Sequence, residues 1–205
     1  MPSEPYYILF AGVNGAGKST LFRTALWQHG EIDASLARVN SDEILVANGW
    51  NPLSESDQIK AGRLAVREIR GHFDKLESFN QETTLTGKSI MRNIHKAHEA
   101  GFHIIVFYVC VDSPSIANAR IEHRSSIGGH SVDPDIVVRR YDESLHNLIE
   151  IIDLCEEVYL YDNTVALELE ARFAMGELAF ISPTGQSHEW VTRIFDGLGY
   201  VEIAF

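Results

Sequence analysis

Short apolar runs alternate with longer amphipathic stretches along most of this 205-residue chain. The short runs have the length and the β-branched or aromatic content of buried strands, while the longer stretches repeat apolar positions at the spacing of one helix face. Such alternation, without internal repeats or low-complexity linkers, predicts an α/β fold in which a parallel β-sheet is flanked by helices. The predicted strands are Tyr6–Ala11, Ala37–Asn40, Ser78–Thr83, His103–Val109 and Val158–Tyr161.

Helix signals fill the segments between these strands. Apolar residues recur from 21 to 26 at the spacing of an inner helix face, and Leu26 is predicted to lie on that face. Gly101 is suited to end a helix, and a serine followed by a proline at 113–114 is suited to open one. The predicted helices are Lys18–Gln28, Ser54–Leu76, Lys88–Ala100 and Ser113–Arg124, and Asp133-Pro134 marks the start of another.

The pattern changes beyond the last of these strands. Residues 167–173 alternate strictly between apolar and polar types, and a second short run at 177–181 follows a Met-Gly pair. This pattern predicts an antiparallel hairpin. A final helix is predicted around 188–198. Its apolar residues are Trp190, Ile194 and Phe195.

The segment Gly12-Val13-Asn14-Gly15-Ala16-Gly17-Lys18-Ser19 is a complete phosphate-binding loop. Glycines let backbone N–H groups turn inward around phosphates, Lys18 reaches the outer phosphates, and the Ser19 hydroxyl is a Mg²⁺ ligand. The strand before the loop and the helix after it argue against a chance match. We therefore predict a P-loop NTPase fold that binds ATP and Mg²⁺. The predicted nucleotide-binding residues here are Gly12, Asn14, Gly15, Ala16, Gly17, Lys18, Ser19 and Thr20.

Composition narrows the class of partner. A net charge of −12 and a pI near 5.1 argue against nucleic acid as the main partner, because that binding depends on clustered Lys and Arg. No apolar run approaches the length of a membrane span, and residues 1–5 lack the features of a secretory signal, so we expect a cytoplasmic protein without a membrane partner. Cys110 and Cys155 lie in apolar segments and are predicted to be buried thiols.

Polar residues at strand ends carry functional information, because open parallel sheets bind ligands at the carboxyl ends of their strands. Asp42 follows the second strand, where its carboxylate can accept the proton of an attacking hydroxyl or hold a Mg²⁺-bound water. Stabilising a helix N-terminus is the alternative. Glu82 and Thr83 end the third strand, beside the phosphate loop in the usual strand order. Glu82 is predicted to position a Mg²⁺-bound water or a substrate hydroxyl, and a solvated strand-end carboxylate is the alternative.

Several arginines of this acidic chain gather around the segment 125–130 and the helix opener that follows. They predict a lid within 113–153, because arginines on a closing segment can neutralise a transferred phosphate while excluding water. Solvated helix faces with surface ion pairs are the alternative. The candidates are Arg120 and Arg124, which we also expect to be catalytic, together with Arg139, Arg140 and His130, the last of which is equally typical of a turn.

Asn163 follows the last parallel strand, in a position that often holds the adenine base in folds of this class. It is therefore a nucleotide-binding candidate, although Asp-Asn is also ordinary turn chemistry. The chain is long enough for one full core, and we predict a single domain over 1–205. Its core is predicted at 6–164, and the hairpin and final helix form an appendix at 165–205.

The order and spacing of these pieces resemble the zeta toxin family of P-loop kinases, over roughly residues 6–164. Members of that family use ATP and Mg²⁺, and characterised toxins phosphorylate a hydroxyl of UDP-N-acetylglucosamine. The resemblance implies that Lys18 and Ser19 hold phosphates and Mg²⁺. It also implies that Asp42 is the base that activates the substrate hydroxyl and that Arg120 grips the transferred phosphate. Glu82 matches a substrate-side acidic position of the family.

The chain departs from this family in the lid. The toxins carry a second arginine about midway along the lid. This chain has Ile127-Gly128-Gly129-His130 at that point, which leaves Arg124 or Arg140 for the role of the second arginine. The sequence thus predicts a phosphotransferase that acts on the alcohol group of a small hydroxyl-bearing substrate. A kinase of another metabolite or nucleotide, with an acceptor pocket built from 54–76, stays open. A nucleotide-dependent switch, a polynucleotide kinase and a partner antitoxin stay open as well.

Overall fold

A seven-stranded mixed sheet forms the centre of the molecule. The structure is a computed structural model that describes residues 4–28, 35–126 and 132–200. The sheet order is β2-β3-β1-β4-β5-β6-β7, and the predicted strands are all present at nearly the predicted positions. The strands are β1 (Tyr6–Ala11), β2 (Ala37–Val39), β3 (Phe79–Thr83), β4 (His103–Cys110), β5 (Glu157–Asp162), β6 (Glu168–Ala174) and β7 (Glu177–Ile181).

The first five strands pair in parallel, as predicted from the alternation of strands and helices. β1 lies between β3 and β4, and its residues from Tyr7 to Ala11 are fully buried. Strands covered on both faces carry continuous apolar runs, which is why β1, and β4 from Ile104 onward, are unbroken hydrophobic segments in the sequence. Because the strands are parallel, the carboxyl ends of β1, β2 and β3 meet at one edge of the sheet.

The predicted antiparallel hairpin is present, and it extends this sheet. β6 pairs antiparallel with β5, and β7 pairs antiparallel with β6. The turn residues Met175 and Gly176 both have positive φ, 52° and 79°. Two successive positive φ angles are what a two-residue turn needs to match the twist of the strands it joins.

Helices flank the sheet in the order that the sequence pattern predicts. Ser54 caps α3 by accepting from the Asp57 N–H at 3.4 Å, and Asp133 caps α6 by accepting from the Asp135 N–H at 2.9 Å. The helices are α1 (Lys18–Thr24), α2 (Ser41–Ala47), α3 (Glu55–Lys75), α4 (Lys88–Glu99), α5 (Pro114–Ser126), α6 (Pro134–Ile151) and α7 (Glu189–Gly197).

The first helix is shorter than predicted. It ends at Thr24, because Ala25 adopts a left-handed φ of 58°. Trp27 then turns back and donates from its indole N–H to the Phe22 carbonyl at 2.8 Å. Trp27 is fully buried while Leu26 is 57% exposed, so the inner-face position predicted for Leu26 is wrong. The larger aromatic side chain occupies the core position that the helical spacing assigned to Leu26.

The second strand is also shorter than predicted, because its last residue has another role. Asn40 lies just past β2 and caps α2, where its Oδ1 accepts from the Asp42 N–H at 2.9 Å. The sequence pattern does not predict α2, since seven residues are too few for a helical period to stand out.

The C-terminal helix, Glu189–Gly197, forms at nearly the predicted position. Trp190, Ile194 and Phe195 are buried in the main core, and so are both cysteines, Cys110 and Cys155. Burial raises the pKa of the Cys110 thiol to about 12. Among the described residues, no helix combines the length and apolar character needed to span a bilayer.

Replacing Trp27 with alanine is expected to destabilise the fold. The indole contacts the Phe10, Phe22 and Phe107 rings at centroid distances of 5.1, 5.3 and 6.4 Å. Loss of a buried Trp side chain typically costs about 3–5 kcal/mol. The matched control is Trp50→Ala, because Trp50 is only partly buried. Urea unfolding measures both variants, and equal losses of unfolding free energy would contradict the role of Trp27 in anchoring α1.

Candidate functional site

The phosphate loop connects β1 to α1 at the carboxyl edge of the sheet. Gly15 and Gly17 have φ of 80° and 113°, in the region that residues with a Cβ disfavour. A Cβ on Gly17 would overlap the Asn163 side chain, and one on Gly12 would overlap the Val109 carbonyl. The glycines are therefore needed both for the shape of the loop and for its close approach to neighbouring segments.

Lys18 is held inside the loop. The residue is 8% exposed, and its Nζ donates to the Val13 carbonyl at 3.1 Å. Burial lowers the pKa of Lys18, while the negative charges of Glu82 and Asp42 act in the opposite direction. Because a buried cation gains most from a charged partner, an anion bound in the loop would stabilise the charged form of Lys18 further.

Side chains from distant segments support the loop. Asn163 donates from Nδ2 to the Ala16 carbonyl at 2.7 Å, and Arg140 donates from Nη1 to Asn14 Oδ1 at 2.9 Å. Arg120 in turn donates from Nη2 to the Asn163 carbonyl at 2.6 Å. Asn163 and two of the predicted lid arginines thus lie in one hydrogen-bonded set with the loop.

Glu82 lies beside the loop because β3 pairs directly with β1, where Glu82 is opposite Phe10. The Ser19 Oγ is 3.0 and 3.1 Å from the two Glu82 carboxylate oxygens. The Glu82 side chain is only 14% exposed, so the alternative of a solvated strand-end carboxylate is wrong. Hydroxyl and carboxylate oxygens are the hard ligands that Mg²⁺ prefers, and this pair therefore fits a magnesium site.

Arg38 on β2 orients Glu82. Its Nη2 is 2.6 Å from Glu82 Oε2, and its Nε is 2.8 Å from Glu43 Oε1. Its Nη1 donates to Asn80 Oδ1 at 3.1 Å, and the guanidinium lies 3.7 Å from the centre of the Phe22 ring. Sequence reasoning missed this residue. A signal was present, because an arginine inside a strand of a buried sheet needs a partner.

Asn40 connects this ion pair to α2. The residue is 7% exposed, and its Nδ2 donates to Glu82 Oε2 at 3.0 Å while its Oδ1 caps α2. The cap fixes Asp42 in the first helical turn, where the helix dipole stabilises its charge. The exposed Asp42 side chain also lines two cavities, one beside the phosphate loop and one along α2 and α3. The position of Asp42 therefore fits both a helix N-terminal role and a role in the site.

Two adjoining cavities meet at these side chains. The loop cavity, of about 390 Å³, is lined by the phosphate loop, α1 and α5. The side cavity, of about 640 Å³, extends along α2, α3 and the end of β3. A ligand in either cavity would contact the same charged wall. The residues of this shared wall are Asn14, Lys18, Asp42, Glu82 and Arg124.

Most of the predicted site residues line one of these cavities. The loop cavity is also lined by Gly15, Gly17, Ser19, Thr20 and Arg120, and the side cavity by Thr83 and Arg140. Arg139 is exposed on α6 and lines neither cavity. His130 lies outside the residues that the structure describes. The structure thus separates Arg139 from the other described arginines of the predicted lid.

Sequence reasoning also missed polar residues that line these cavities, among them Arg23 and Asn40. Arg23 lines the loop cavity and donates from Nε to the Ser19 carbonyl at 3.1 Å. It follows Ser19 by one helical turn, and this spacing was a usable signal. Asn40 lines the side cavity and caps α2. Because the sequence pattern does not predict α2, it could not indicate the capping role of Asn40.

Solved structures with little sequence identity share this fold. A chain of the AvrRxo1-ORF1:-ORF2 complex with ATP has a TM-score of 0.68 and 14% identity, covering 100% of this chain and 67% of that chain. A chain of the PezAT chromosomal toxin-antitoxin system of Streptococcus pneumoniae has a TM-score of 0.58 and 15% identity, covering 97% of this chain and 89% of that chain. These likenesses confirm the predicted α/β fold, in which a mostly parallel sheet is flanked by helices.

Sequence comparison identifies a nearer relative. No protein-family model matches the chain. An uncharacterised protein of Haemophilus influenzae is 35% identical over 135 residues, which cover 65% of this chain and 91% of that protein. Identity at this level over nearly the whole of the relative shows common descent, and this chain belongs to the same protein family as the Haemophilus influenzae protein.

Proposed function

We propose that this chain is an ATP-dependent kinase that phosphorylates a hydroxyl of a small molecule. The observation that carries the proposal is the wall shared by the loop cavity and the side cavity. Phosphoryl transfer needs a donor phosphate and an acceptor hydroxyl to meet in line among charged side chains. Lys18, Asp42 and Arg124 provide both signs of charge at this wall.

The loop cavity is the proposed donor site. The start of α1 and the backbone N–H groups of a phosphate loop favour phosphate groups, and Lys18 adds a buried positive charge. Arg23 and Arg120 supply further cations around the same cavity. ATP as the donor is also supported by the similar AvrRxo1-ORF1:-ORF2 structure, which was determined with ATP.

Ser19 and Glu82 are the residues proposed to hold Mg²⁺ in this site. Bound Mg²⁺ supplies positive charge that stabilises the phosphates during transfer. Arg38 and Asn40 hold the Glu82 carboxylate where it meets the Ser19 hydroxyl. Such partners of a ligand side chain fix its orientation and thereby tune the affinity of the site for the metal.

Asp42 is the proposed general base. It accepts the proton of the acceptor hydroxyl as the hydroxyl oxygen forms a bond to the γ-phosphorus. The bond from that phosphorus to the bridging oxygen breaks at the same time, and ADP leaves with the electron pair. Lys18 and Arg124 stabilise the negative charge on the moving phosphoryl group from the shared wall.

The side cavity is the proposed acceptor site. Beyond the shared wall its lining combines polar side chains, among them Thr83, Thr84 and Gln58, with apolar ones that suit the remainder of a small substrate. The apolar residues are Leu45, Val46, Pro52, Ala61 and Val132. UDP-N-acetylglucosamine, the acceptor implied by the resemblance to zeta toxins, is the first candidate, and another metabolite or nucleotide is the alternative. A nucleotide-dependent switch would need no acceptor site, so a second cavity of about 640 Å³ favours the kinase.

Incubation with γ-labelled ATP and Mg²⁺ is expected to transfer label to a small hydroxyl compound. The acceptors to compare are UDP-N-acetylglucosamine, panels of sugars, nucleosides and nucleotides, and an oligonucleotide with a free 5′-hydroxyl. Chromatography of the products identifies the labelled acceptor. Label on the oligonucleotide alone would favour a polynucleotide kinase, and label on no acceptor with nucleotide-dependent capture of a protein would favour a switch; either result contradicts the proposed function.

The variant Asp42→Asn is expected to lower kcat by about 10²–10⁴-fold, the usual contribution of a general base. Affinity for the non-hydrolysable analogue AMP-PNP should stay near the wild-type value, because Asp42 is not a phosphate ligand in this proposal. The matched control is Asp74→Asn, which changes an exposed carboxylate on α3. Unchanged turnover in Asp42→Asn would remove Asp42 from the mechanism.

The variant Arg38→Ala is expected to raise the Mg²⁺ concentration needed for half-maximal AMP-PNP binding by about 10–100-fold. Without the guanidinium, Glu82 loses the contact that orients it toward Ser19. Arg38→Lys should have an intermediate effect, because an ammonium keeps the charge but lacks the fork that spans Glu82 and Glu43.

Titration calorimetry at several Mg²⁺ concentrations measures this dependence. Arg67→Ala, at an exposed arginine of α3, is the matched control. An unaltered Mg²⁺ dependence in Arg38→Ala, with the fold intact by circular dichroism, would show that Arg38 does not act through Glu82.

A further inference from the structure

His188 faces three carboxylates from three different parts of the fold. It precedes α7, and its Nδ1 is 2.6 Å from Asp112 Oδ1 and 3.6 Å from Asp162 Oδ2. Its Nε2 is 3.6 Å from Glu170 Oε1. Asp112 follows β4, Asp162 ends β5, and Glu170 lies in β6. This charge cluster therefore joins the C-terminal helix and hairpin to the parallel part of the sheet.

Two of these carboxylates are almost fully buried. Asp162 is 4% exposed and Glu170 is 1% exposed. Asp162 Oδ2 accepts from the Trp190 indole N–H at 3.1 Å, and Glu170 accepts from the hydroxyls of Ser182 and Thr184. Buried carboxylates are costly unless hydrogen bonds and an opposite charge compensate them. A protonated His188 supplies that opposite charge.

The cluster is directly connected to the turn that supports the phosphate loop. Asp162 accepts from the Thr164 backbone N–H at 2.7 Å and from its hydroxyl at 2.9 Å, and the Thr164 hydroxyl oxygen accepts from the Asp112 N–H at 2.9 Å. Asn163, which lies between Asp162 and Thr164, donates to the Ala16 carbonyl of the loop at 2.7 Å. One turn of three residues is thus held by the cluster on one side and holds the loop on the other.

We propose that protonated His188 is a positioning residue that holds the 162–164 turn, and through Asn163 the phosphate loop, in the conformation that binds nucleotide. The consequence for nucleotide affinity rests on the proposed function, whereas the ordering of the loop does not. The proposal gives residues 165–200 a role in the site, because α7 and β6 supply His188 and one of its carboxylates.

The effect has a defined dependence on pH. Burial by itself lowers the pKa of His188, but the hydrogen bond to Asp112 and the charges of Asp162 and Glu170 outweigh it, so this pKa lies above the ordinary value. A raised histidine pKa gives stabilisation that is complete below the ordinary value of about 6.5 and is lost as pH rises through the higher folded value. Order in the phosphate loop should follow the same course.

The variant His188→Asn tests this without removing the helix start. Asparagine is a favourable residue before a helix, and its amide replaces the Nδ1 donor toward Asp112 while carrying no charge. The matched control is His146→Asn, because the side chain of His146 is 71% exposed and forms an ion pair with its helix neighbour Glu150 at 3.1 Å, away from the charge cluster.

Two measurements are made across the pH range in which His188 titrates. Hydrogen exchange of the peptide covering residues 12–24, corrected for the intrinsic pH dependence, reports loop order in the ligand-free protein. Titration calorimetry reports AMP-PNP affinity in the presence of Mg²⁺. We expect His188→Asn to remove the pH dependence of both and to weaken affinity at low pH by at least about fivefold, as for a typical coupling between sites.

The outcomes separate this inference from the proposed function. Failure of the wild-type protein to bind AMP-PNP would overturn the proposed function, while hydrogen exchange would still decide the positioning role. Loop protection that is the same in His188→Asn and wild type at every pH would overturn the positioning role, even if Tm falls. The control His146→Asn is expected to leave loop protection at the wild-type level, and an equal effect of the two variants would overturn the proposal as well.

A metal ion is the competing source of positive charge, because Asp112, Asp162 and His188 offer ligand atoms within 4.8 Å of one another. Adding Zn²⁺ or Mg²⁺ to the wild-type protein distinguishes the two. The proton-based role predicts no rise in Tm with either ion. A saturable rise that is absent in His188→Asn would overturn it in favour of a metal site.

Discussion

The ion pair between Arg38 and Glu82 is the interaction on which the candidate site depends. Its side chains are 10% and 14% exposed, and removing one partner of a buried pair typically costs about 3–5 kcal/mol. Arg38 also donates hydrogen bonds to Glu43 and Asn80, and these bonds offset the free-energy cost of removing its guanidinium from water. The result is a carboxylate with one orientation, which meets the Ser19 hydroxyl at the start of α1.

The phosphate loop depends on contacts from segments far away in the chain. Asn14 is bonded by Arg140 from α6, and Ala16 is bonded by Asn163 from the turn after β5. The glycine at 17 permits the second of these approaches, because a side chain there would overlap Asn163. His188, just before the C-terminal helix, lies 3.6 Å from Glu170 in the hairpin and 3.6 Å from Asp162 in the same turn. A series of side-chain contacts therefore connects the hairpin to the phosphate loop.

Much of the fold was predictable, and the errors have identifiable causes. Buried parallel strands are continuous apolar runs, so β1 and β4 stand out in the sequence. The end of α1 does not stand out in the sequence. The left-handed conformation of Ala25 ends the helix, so that Trp27 is buried in the core and Leu26 is exposed. In the site, Lys18 and Ser19 follow from a local motif, whereas Arg38 needed knowledge of which side chains it would meet across β2 and β3.

The sequence by itself determined the elements that depend on local causes. These are the phosphate loop, whose residue types and spacing specify its chemistry, and the strands, whose continuous apolar residues indicate that they are buried. Only the tertiary structure decided which charges meet. Parallel pairing in the order β2-β3-β1 brings Arg38 and Glu82 to Ser19, and the packing of α7 brings His188 to Asp162. Such pairs join residues far apart in the chain, and electrostatic partners at that separation leave no periodic pattern in the sequence.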